Sequence, residues 1–245
     1  MLWVLYSLLS AFGWATADVF TKKASKVDDY ILVLSRFIYG VPFVLALLLF
    51  TSIPKLDMAF WIVLSIDIPL EILSFILYTK AIRVSPLSLA VPLISLTPVF
   101  LVFTSFVILR ELPTIAGFFG ILLVVVGAYI LNLKGLGKGV LEPFKSIFKE
   151  KGCVYMIITA FLFSIDSTLS KILVQKSSPL FYGAIYLAVM AISLLIISFF
   201  ASKRNIVQLK SNFWELFPIG LFFGLMVIFH NFAIRLVIVP YMISI

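Results

Sequence analysis

Two acidic side chains, Asp67 and Glu71, lie four residues apart in a stretch that is otherwise almost entirely apolar. Residues at this spacing share one face of a helix. A carboxylate inside an apolar helix is costly and by default marks a functional site or an internal ion pair. We expect Glu71 to pair with Arg36, which lies at a similar predicted depth in the preceding apolar stretch. Asp67 is then the candidate for proton or cation coupling.

The stretch from Ser85 to Glu111 is apolar but contains three prolines, Pro86, Pro92 and Pro98. Pro86 begins the predicted helix, where a missing N–H has no hydrogen bond to lose. Pro92 and Pro98 lie inside it and each removes one backbone hydrogen bond, so the freed carbonyl groups should face protein, water or nearby hydroxyls rather than lipid. We predict a kinked helix that lines a substrate path, and the alternative is a kink that serves only packing. The hydroxyls expected on this path belong to Ser88, Ser95 and Thr97.

Two further titratable residues lie near the ends of later apolar stretches: Asp166 and the only histidine, His230. Histidine titrates near neutral pH, so His230 could relay protons. A histidine that only lies at the headgroup interface is the alternative. Both residues are therefore further candidates for coupling.

The composition is that of a membrane protein, because 63% of the 245 residues are hydrophobic and 12% are charged, whereas soluble domains carry about 25% charged residues. The apolar residues form blocks of about 20, the length that a helix needs to cross a bilayer. They predict an all-α polytopic membrane helical bundle with spans at residues 2–20, 30–51, 59–79, 86–109, 114–132, 153–170, 179–201 and 214–234. A ninth block begins near Leu236, and we expect the chain to end inside that helix.

The charge pattern excludes a nucleic-acid partner. The net charge is +8, but the basic residues lie between the apolar blocks and form no groove-sized patch with interleaved aromatic residues. Anionic lipid headgroups of the bilayer are the expected partner. The single cysteine, Cys153, allows neither an intrachain disulfide nor a cysteine-based metal site. We predict no metal, no cofactor and a multi-pass location in the cell (plasma or inner) membrane.

The chain carries a weak internal repeat. Five residues of span one match five of span six at a constant offset of 149: Tyr6, Ala11, Phe12, Thr21 and Lys22 with Tyr155, Ala160, Phe161, Ser170 and Lys171. Trp61 matches Trp214 at an offset of 153, and residues 81–83 match 233–235 at 152. These matches predict two copies of a five-span unit, which lie in opposite orientations because five is odd.

The predicted domains are a first repeat at 1–132, a basic linker at 133–152 and a second, incomplete repeat at 153–245. Apolar residues of the linker recur at helical spacing, so it could form an amphipathic helix on the headgroups. A solvated linker is the alternative. The last helices of the second copy are expected to be missing.

The stretch from Ser85 to Asn132 resembles the EamA-type members of the drug/metabolite transporter superfamily. The matching features are an A-x-x-x-S-P motif at 81–86, L-T-P-V-F at 96–100, Arg110-Glu111, and then Gly117, Gly120 and Gly127. Trp14, Lys22 and Arg36 also look like that family. The resemblance implies ten helices in two inverted halves that move small organic metabolites, often outward. It also implies cytoplasmic termini, whereas the Lys and Arg of the connecting segments favour an external N-terminus.

We therefore predict a secondary transporter that moves a small organic metabolite by alternating access without ATP, with export as the expected direction. Trp14 and Lys22 join Arg36 and the two carboxylates as substrate or coupling candidates, and proton coupling is possible. The alternatives are a membrane-embedded enzyme and a truncated, non-transporting relic. The sequence contains no H-E-x-x-H, no G-x-S-x-G and no glycine-rich phosphate loop, so we predict no catalytic residues.

Overall fold

Every regular element in the described part of the protein is a helix. The computed structural model describes residues 2–49, 51–133, 150–201 and 206–244. The elements are α1 (Leu2–Lys23), α2 (Asp29–Ile38), α3 (Val41–Leu48), α4 (Met58–Val84), α5 (Leu87–Ala90), a 3-10 helix (Val91–Leu96), α6 (Thr97–Leu109), α7 (Ile115–Leu133), α8 (Lys151–Lys176), α9 (Pro179–Ala201), α10 (Val207–Ser211), α11 (Phe213–Leu236) and α12 (Val239–Ile243).

Seven segments of the described chain are long and apolar enough to cross a membrane. Five are the single helices α1, α4, α8, α9 and α11. The other two combine neighbouring elements, α2 with α3 over Asp29–Leu48, and the 3-10 helix with α6 over Val91–Leu109. A shorter apolar stretch, Ile115–Gly127, belongs to α7. The prediction of an all-α polytopic membrane bundle is confirmed for these residues.

The fourth predicted span is divided into three helical segments, each with a proline at its start. Pro86 precedes α5, while Pro92 and Pro98 lie in the first turns of the 3-10 helix and of α6. The chain is helical without a break from 87 to 109, and it changes from α to 3-10 geometry at Val91 and back to α geometry at Thr97. The kink expected at Pro92 and Pro98 stays a prediction, and Pro86, which precedes the first helical residue, removes little.

The described residues fall into two compact units. One contains residues 1–72 and 169–237, and the other contains 73–168 and 238–244. The division falls inside α4 and α8, and each unit takes residues from both predicted copies. The copies at 1–132 and 153–245 stay a prediction. Most of the predicted linker, 134–149, lies outside the described residues, and so does the amphipathic helix expected there.

In the first unit α11 packs antiparallel along α1. Tyr6 lies near Phe229 and Phe232, whereas Gly13, further along α1, lies against Phe222 and Met226. A Cβ added to Gly13 would lie 2.8 Å from the carbonyl oxygen of Phe222. Glycine therefore sets how closely these two backbones approach.

A second close contact joins α11 to the junction between α2 and α3. Gly220 faces this junction, where an added Cβ would overlap Tyr39 and lie 2.6 Å from the carbonyl oxygen of Ser35. Gly224 lies one turn later and faces Gly40. Gly220 and Gly224 thus form a G-x-x-x-G motif, which is common where membrane helices pack closely, and it lies in a helix contact of this protein.

The start of α9 meets the end of α11 through the bond from Asn231 to Pro179, and the end of α9 meets the start of α2 through the bond from Ser198 to Tyr30. Helix α9 is therefore antiparallel to both, and α11 runs parallel to α2.

In the second unit the end of α6 adopts a left-handed turn at Arg110, with φ 59 and ψ 27. The Arg110 N–H donates to the carbonyl oxygen of Phe106, and the Glu111 N–H donates to that of Ser105. These bonds satisfy carbonyl groups that the helix end would otherwise leave open. Tyr241 of α12 lies nearby, and its hydroxyl accepts the N–H of Thr114 at 2.8 Å.

Candidate functional site

Both carboxylates of α4 accept hydrogen bonds from tyrosines of α9. The Tyr182 hydroxyl donates to Asp67 Oδ2 at 3.1 Å, and the Tyr186 hydroxyl donates to Glu71 Oε1 at 2.6 Å. All four side chains are buried in the first unit. We call this pair of hydrogen bonds the tyrosine ladder. It places two ionisable groups in contact with polar donors rather than with lipid, as buried carboxylates require.

The register of the ladder fixes the relative direction of the two helices. Asp67 and Glu71 are four residues apart, and so are their partners Tyr182 and Tyr186. Because the earlier carboxylate meets the earlier tyrosine, α4 and α9 run parallel. Each helix presents one face with a spacing of one turn, so both hydrogen bonds form on the same side of each helix.

The first hydrogen bond of the ladder continues onto a third helix. The Tyr182 hydroxyl lies 2.8 Å from Ser170 Oγ of α8, and both groups are buried. Tyr182 has one hydroxyl hydrogen and donates it to Asp67, so Ser170 is the donor in this second contact. The order of donation is therefore Ser170 to Tyr182 to Asp67.

A buried ion pair joins α1 and α2 in the same unit. Arg36 Nη2 lies 2.7 Å from Asp18 Oδ1, and the side chains are 0% and 6% exposed. The same nitrogen donates to the Thr21 hydroxyl at 3.0 Å. Asp18 was not predicted as a partner of Arg36, and the expected pair of Arg36 with Glu71 stays a prediction.

Aromatic rings lie between the ion pair and the ladder. The Arg36 guanidinium lies 5.8 Å from the ring centre of Phe223, within the range of a cation–π contact. Phe37 packs edge-on against both Phe223 and Tyr186, at 5.1 and 5.8 Å between ring centres. The rings of Tyr182 and Tyr186 are 5.7 Å apart. The polar groups of this unit thus lie in one buried, partly aromatic cluster.

The membrane face at which α4 begins is marked by an exposed ion pair. Lys176 Nζ, in the last turn of α8, donates to Asp57 Oδ2 at 2.6 Å. This bond, and then the backbone N–H of Phe60, hold the pKa of Asp57 below its usual value. We call this end of the first unit the Asp57 face. Here α4 begins, α8 ends and α9 begins with Pro179.

The two residues of span one that carried the resemblance lie in the first unit. Trp14 is partly buried and packs against Phe223, with 6.1 Å between ring centres. Lys22 lies in the last turn of α1 and is also partly buried. Its predicted repeat counterpart, Lys171, is buried and donates to the carbonyl oxygen of Val237 at 2.9 Å. Lys171 thus places a positive charge at the C-terminal end of α11, where the helix dipole favours it.

The predicted path residues of the fourth span lie in the second unit. The Ser95 hydroxyl donates to the carbonyl oxygen of Pro92 at 2.6 Å, and the carbonyl oxygen of Ile94 accepts the backbone N–H of Thr97. The Thr97 hydroxyl is buried and makes no hydrogen bond with any described residue. Pro98 is buried beside it, and the side chain of Ser88 lies outside the described part.

Asp166 and His230 belong to different units. Asp166 is buried in the second unit, ten residues before the end of α8 at Lys176. The expectation that it lies near a helix end is therefore wrong, because α8 continues past the predicted end of its span. His230 is partly buried in α11, six residues before Leu236.

Five polar residues of the cluster were not among the site residues predicted from the sequence. Hydroxyl and carboxyl groups inside apolar blocks are signals that could have pointed to some of them, since buried polar groups need partners. Tyr182 and Tyr186 also repeat the spacing of Asp67 and Glu71. The residues concerned are Asp18, Thr21, Ser170, Tyr182 and Tyr186.

Comparison with known proteins agrees with these observations. Residues 1–133 match the EamA-like transporter family, which covers more than half of the 245 residues. No curated protein matches the chain at a significant level. A family of transporters fits the prediction that the chain is not an enzyme. The buried polar cluster and the apolar spans are therefore those of a multi-pass membrane transporter of the drug/metabolite transporter superfamily, and the chain belongs to the EamA-like transporter family.

Proposed function

We propose that this protein is a proton-coupled secondary transporter that exports a small organic metabolite across the cell membrane by alternating access. The observation that carries the proposal is the tyrosine ladder. Its carboxylates come from the first predicted copy and its tyrosines from the second. A proton that binds at Asp67 or Glu71 therefore changes a contact between the copies, whose relative movement is the basis of alternating access in inverted-repeat carriers.

Two features of the helices support the two-copy arrangement. Helix α4 ends at Val84 and α5 begins at Leu87, while α11 ends at Leu236 and α12 begins at Val239. Both pairs differ by the same offset, since 236 − 84 and 239 − 87 are each 152. The residue before each short helix has the same extended backbone, with φ −58 and ψ 138 at Pro86 and φ −65 and ψ 145 at Ile238.

Helix direction supports opposite orientation of the copies. In the predicted repeat, α4 corresponds to α11, and the span of α2 and α3 corresponds to α9. The parallel contact of α4 with α9 therefore has a counterpart in the parallel contact of α11 with α2 and α3. The corresponding helices α2 and α9 run antiparallel, since Phe37 packs against Tyr186 while the carbonyl oxygen of Tyr30, earlier in α2, accepts from Ser198, later in α9. A two-fold axis in the membrane plane relates helices of opposite direction in this way.

The chemistry of coupling follows from the ladder. An ionised carboxylate only accepts hydrogen bonds, whereas a protonated one also has a hydrogen to donate. Protonation of Asp67 therefore changes its bond to Tyr182 and removes a buried negative charge. A proton can shift a conformational equilibrium only if it binds the two states with different affinity. A carboxylate whose partner is supplied by the other copy meets this condition.

Transport by the purified protein in vesicles tests the proposal. A thermal-shift screen over amino acids, nucleosides, sugars and cationic drugs identifies a ligand, and its flux is then measured with and without a pH gradient. We expect Asp67→Asn to keep its yield and melting temperature but lose pH-driven flux, whereas Glu71→Gln lowers stability. Glu215→Gln, at an exposed carboxylate of α11, is the matched control. An unchanged pH dependence in Asp67→Asn would contradict the assignment.

Accessibility of the fourth span tests the proposed substrate path. The buried Thr97 hydroxyl supports a path along this span. Single cysteines at positions 88–104, in a Cys153→Ala background, should react with a water-soluble maleimide along one face that includes Thr97. Protection of every position from labelling would rule out a water-accessible path here.

A further inference from the structure

We propose that Ser170 and Tyr182 form a hydroxyl relay that delivers protons to Asp67 from the Asp57 face of the membrane. The inference rests on the proposed proton coupling at Asp67. It adds the residues through which the proton passes and the membrane face from which it comes. The Tyr182 hydroxyl lies 3.1 Å from Asp67 Oδ2 and 2.8 Å from Ser170 Oγ. All three groups are buried, with exposures of 1%, 0% and 6% for Tyr182, Asp67 and Ser170.

The position of the relay along its helices gives its direction. Ser170 lies six residues before Lys176, the end of α8, which is about 9 Å along the helix. Asp67 lies nine residues after Met58, the start of α4, which is about 13 to 14 Å. Both helix ends lie at the Asp57 face, because Lys176 and Asp57 form an ion pair there. Ser170 is thus nearer this face than Asp67 is.

Each transfer along the relay moves one hydrogen by one hydrogen bond. A hydronium ion from the Asp57 face gives its proton to Ser170 Oγ and becomes water. The original Ser170 hydrogen passes to the Tyr182 oxygen, and the original Tyr182 hydrogen passes to Asp67 Oδ2. Three O–H bonds break and three form, and the only net change is that Asp67 becomes a neutral carboxylic acid. The order of donation is then reversed, from Asp67 to Tyr182 to Ser170.

The second hydrogen bond of the ladder supplies the matched comparison. Tyr186 also donates to a carboxylate of α4, one helical turn away. Its ring packs edge-on against Phe37, which is fully buried. The relay therefore requires Tyr182 but not Tyr186, although both make the same kind of hydrogen bond.

Other charged or titratable groups are buried in the same unit as Asp67 and affect its proton equilibrium. They come from α1, α2, α4, α8 and α9, and removing any of them would change how readily Asp67 holds a proton. A rate measurement separates the relay from these equilibrium effects. The groups are Asp18, Arg36, Glu71, Lys171 and Tyr186.

The test is a pH jump on the 245-residue chain in vesicles, followed by time-resolved infrared difference spectroscopy. The C=O stretch of protonated Asp67 is identified by its loss in Asp67→Asn. We expect Tyr182→Phe and Ser170→Ala to slow the appearance of this band by about 100-fold, the lower range for loss of a proton-transfer group. Ser170→Thr keeps a hydroxyl and should retain the rate, and Tyr186→Phe should leave it unchanged.

The side of entry is tested in the same vesicles. Gln175, exposed near the end of α8, is replaced by cysteine in a Cys153→Ala background, and an impermeant maleimide then identifies the vesicles whose Asp57 face is outside. A pH jump on that side should protonate Asp67 faster than a jump on the other side.

The outcomes distinguish the relay from the coupling on which it rests. Absence of the Asp67 band at every pH would overturn both proposals. A band whose rate is the same in Tyr182→Phe, Ser170→Ala and the unmodified protein would overturn the relay and leave coupling at Asp67 intact. A merely structural role for Tyr182 would lower the melting temperature of Tyr182→Phe without slowing the band.

Discussion

The ion pair between Asp18 and Arg36 leads to a prediction about stability. Asp18→Asn keeps the size of the side chain and one oxygen acceptor but removes the negative charge opposite Arg36. The distance of 2.7 Å and the side-chain exposures of 0% and 6% place both charges inside the protein. We expect this single change to be among the most destabilising conservative substitutions in the first unit.

The magnitude follows from two opposing effects. At an effective dielectric constant of about 20, unit charges 2.7 Å apart attract by roughly 6 kcal/mol. Burial costs each ion several kcal/mol, so the intact pair contributes little in total. Removing one partner leaves the burial cost of the other in place, and typically lowers stability by about 3 to 5 kcal/mol. Asp18→Asn should therefore lower the free energy of unfolding by an amount in this range.

A double-mutant cycle separates the pair from its surroundings. Unfolding by sodium dodecyl sulfate in mixed micelles is followed through the reactivity of Cys153, the only cysteine, which is buried in the folded protein. Asp18→Asn and Arg36→Met are measured singly and together, with Glu215→Gln as the exposed control. We expect the double variant to be more stable than the sum of the single effects predicts, by about 2 to 3 kcal/mol.

Two results would refute this reasoning. Additive single effects would show that the two charges do not interact, whatever their distance. A change in Asp18→Asn no larger than that in Glu215→Gln would show that the burial cost of Arg36 is met by other groups.

Three further predictions concern sites outside the buried cluster. Gly220→Ala should lower the melting temperature, because its Cβ would overlap the backbone of the facing helix, whereas Gly120→Ala should not, because nothing lies within 4 Å of the added atom. Arg110→Gly should raise stability by up to about 1 kcal/mol in the same unfolding assay, since glycine tolerates the left-handed backbone better. Asp57→Asn should abolish a small pH dependence of the melting temperature. The lowered pKa of Asp57 means that its bond to Lys176 stabilises the fold at neutral pH and that this contribution is lost on acidification through that pKa.

Local features of the fold could be predicted from the sequence because span length and hydropathy depend only on neighbouring residues. The positions of the apolar spans are such features, and so are the three prolines of the fourth span. The prolines were expected as interior kinks of one helix, and the chain is helical from 87 to 109 but adopts 3-10 geometry between Val91 and Leu96. That choice depends on hydrogen bonds of the surrounding backbone, which the residue type alone does not determine. The end of α8 was also predicted six residues too early, because Leu173 and Val174 continue into a buried core.

Long-range partners could not be predicted. Depth suggested Glu71 as a partner of Arg36 but did not point to Asp18, because depth does not specify which helices are neighbours or which faces meet. The partners of Asp67 and Glu71 are each 115 residues away in sequence. Tyrosine in an apolar span is also an ordinary lipid-facing or interfacial residue. The four-residue spacing of Tyr182 and Tyr186 indicates a pair of hydrogen bonds only when α4 and α9 are known to be parallel neighbours.

The sequence distance within the ladder has a consequence for biosynthesis. At about 5 to 20 residues per second, the 115 residues between Asp67 and Tyr182 take roughly 6 to 23 s to synthesise. Helix α4 must therefore enter the membrane before its tyrosine partners exist. On the scale of apparent free energies for inserting a helix into the membrane, two central carboxylates cost roughly 5 to 7 kcal/mol. The 14 Leu, Ile, Phe and Val residues of Met58–Val84 favour insertion by roughly 4 to 8 kcal/mol. The free energy of inserting α4 on its own is therefore close to zero. We expect α4 to be held stably in the bilayer only after α9 has inserted and its tyrosines have bonded to the two carboxylates.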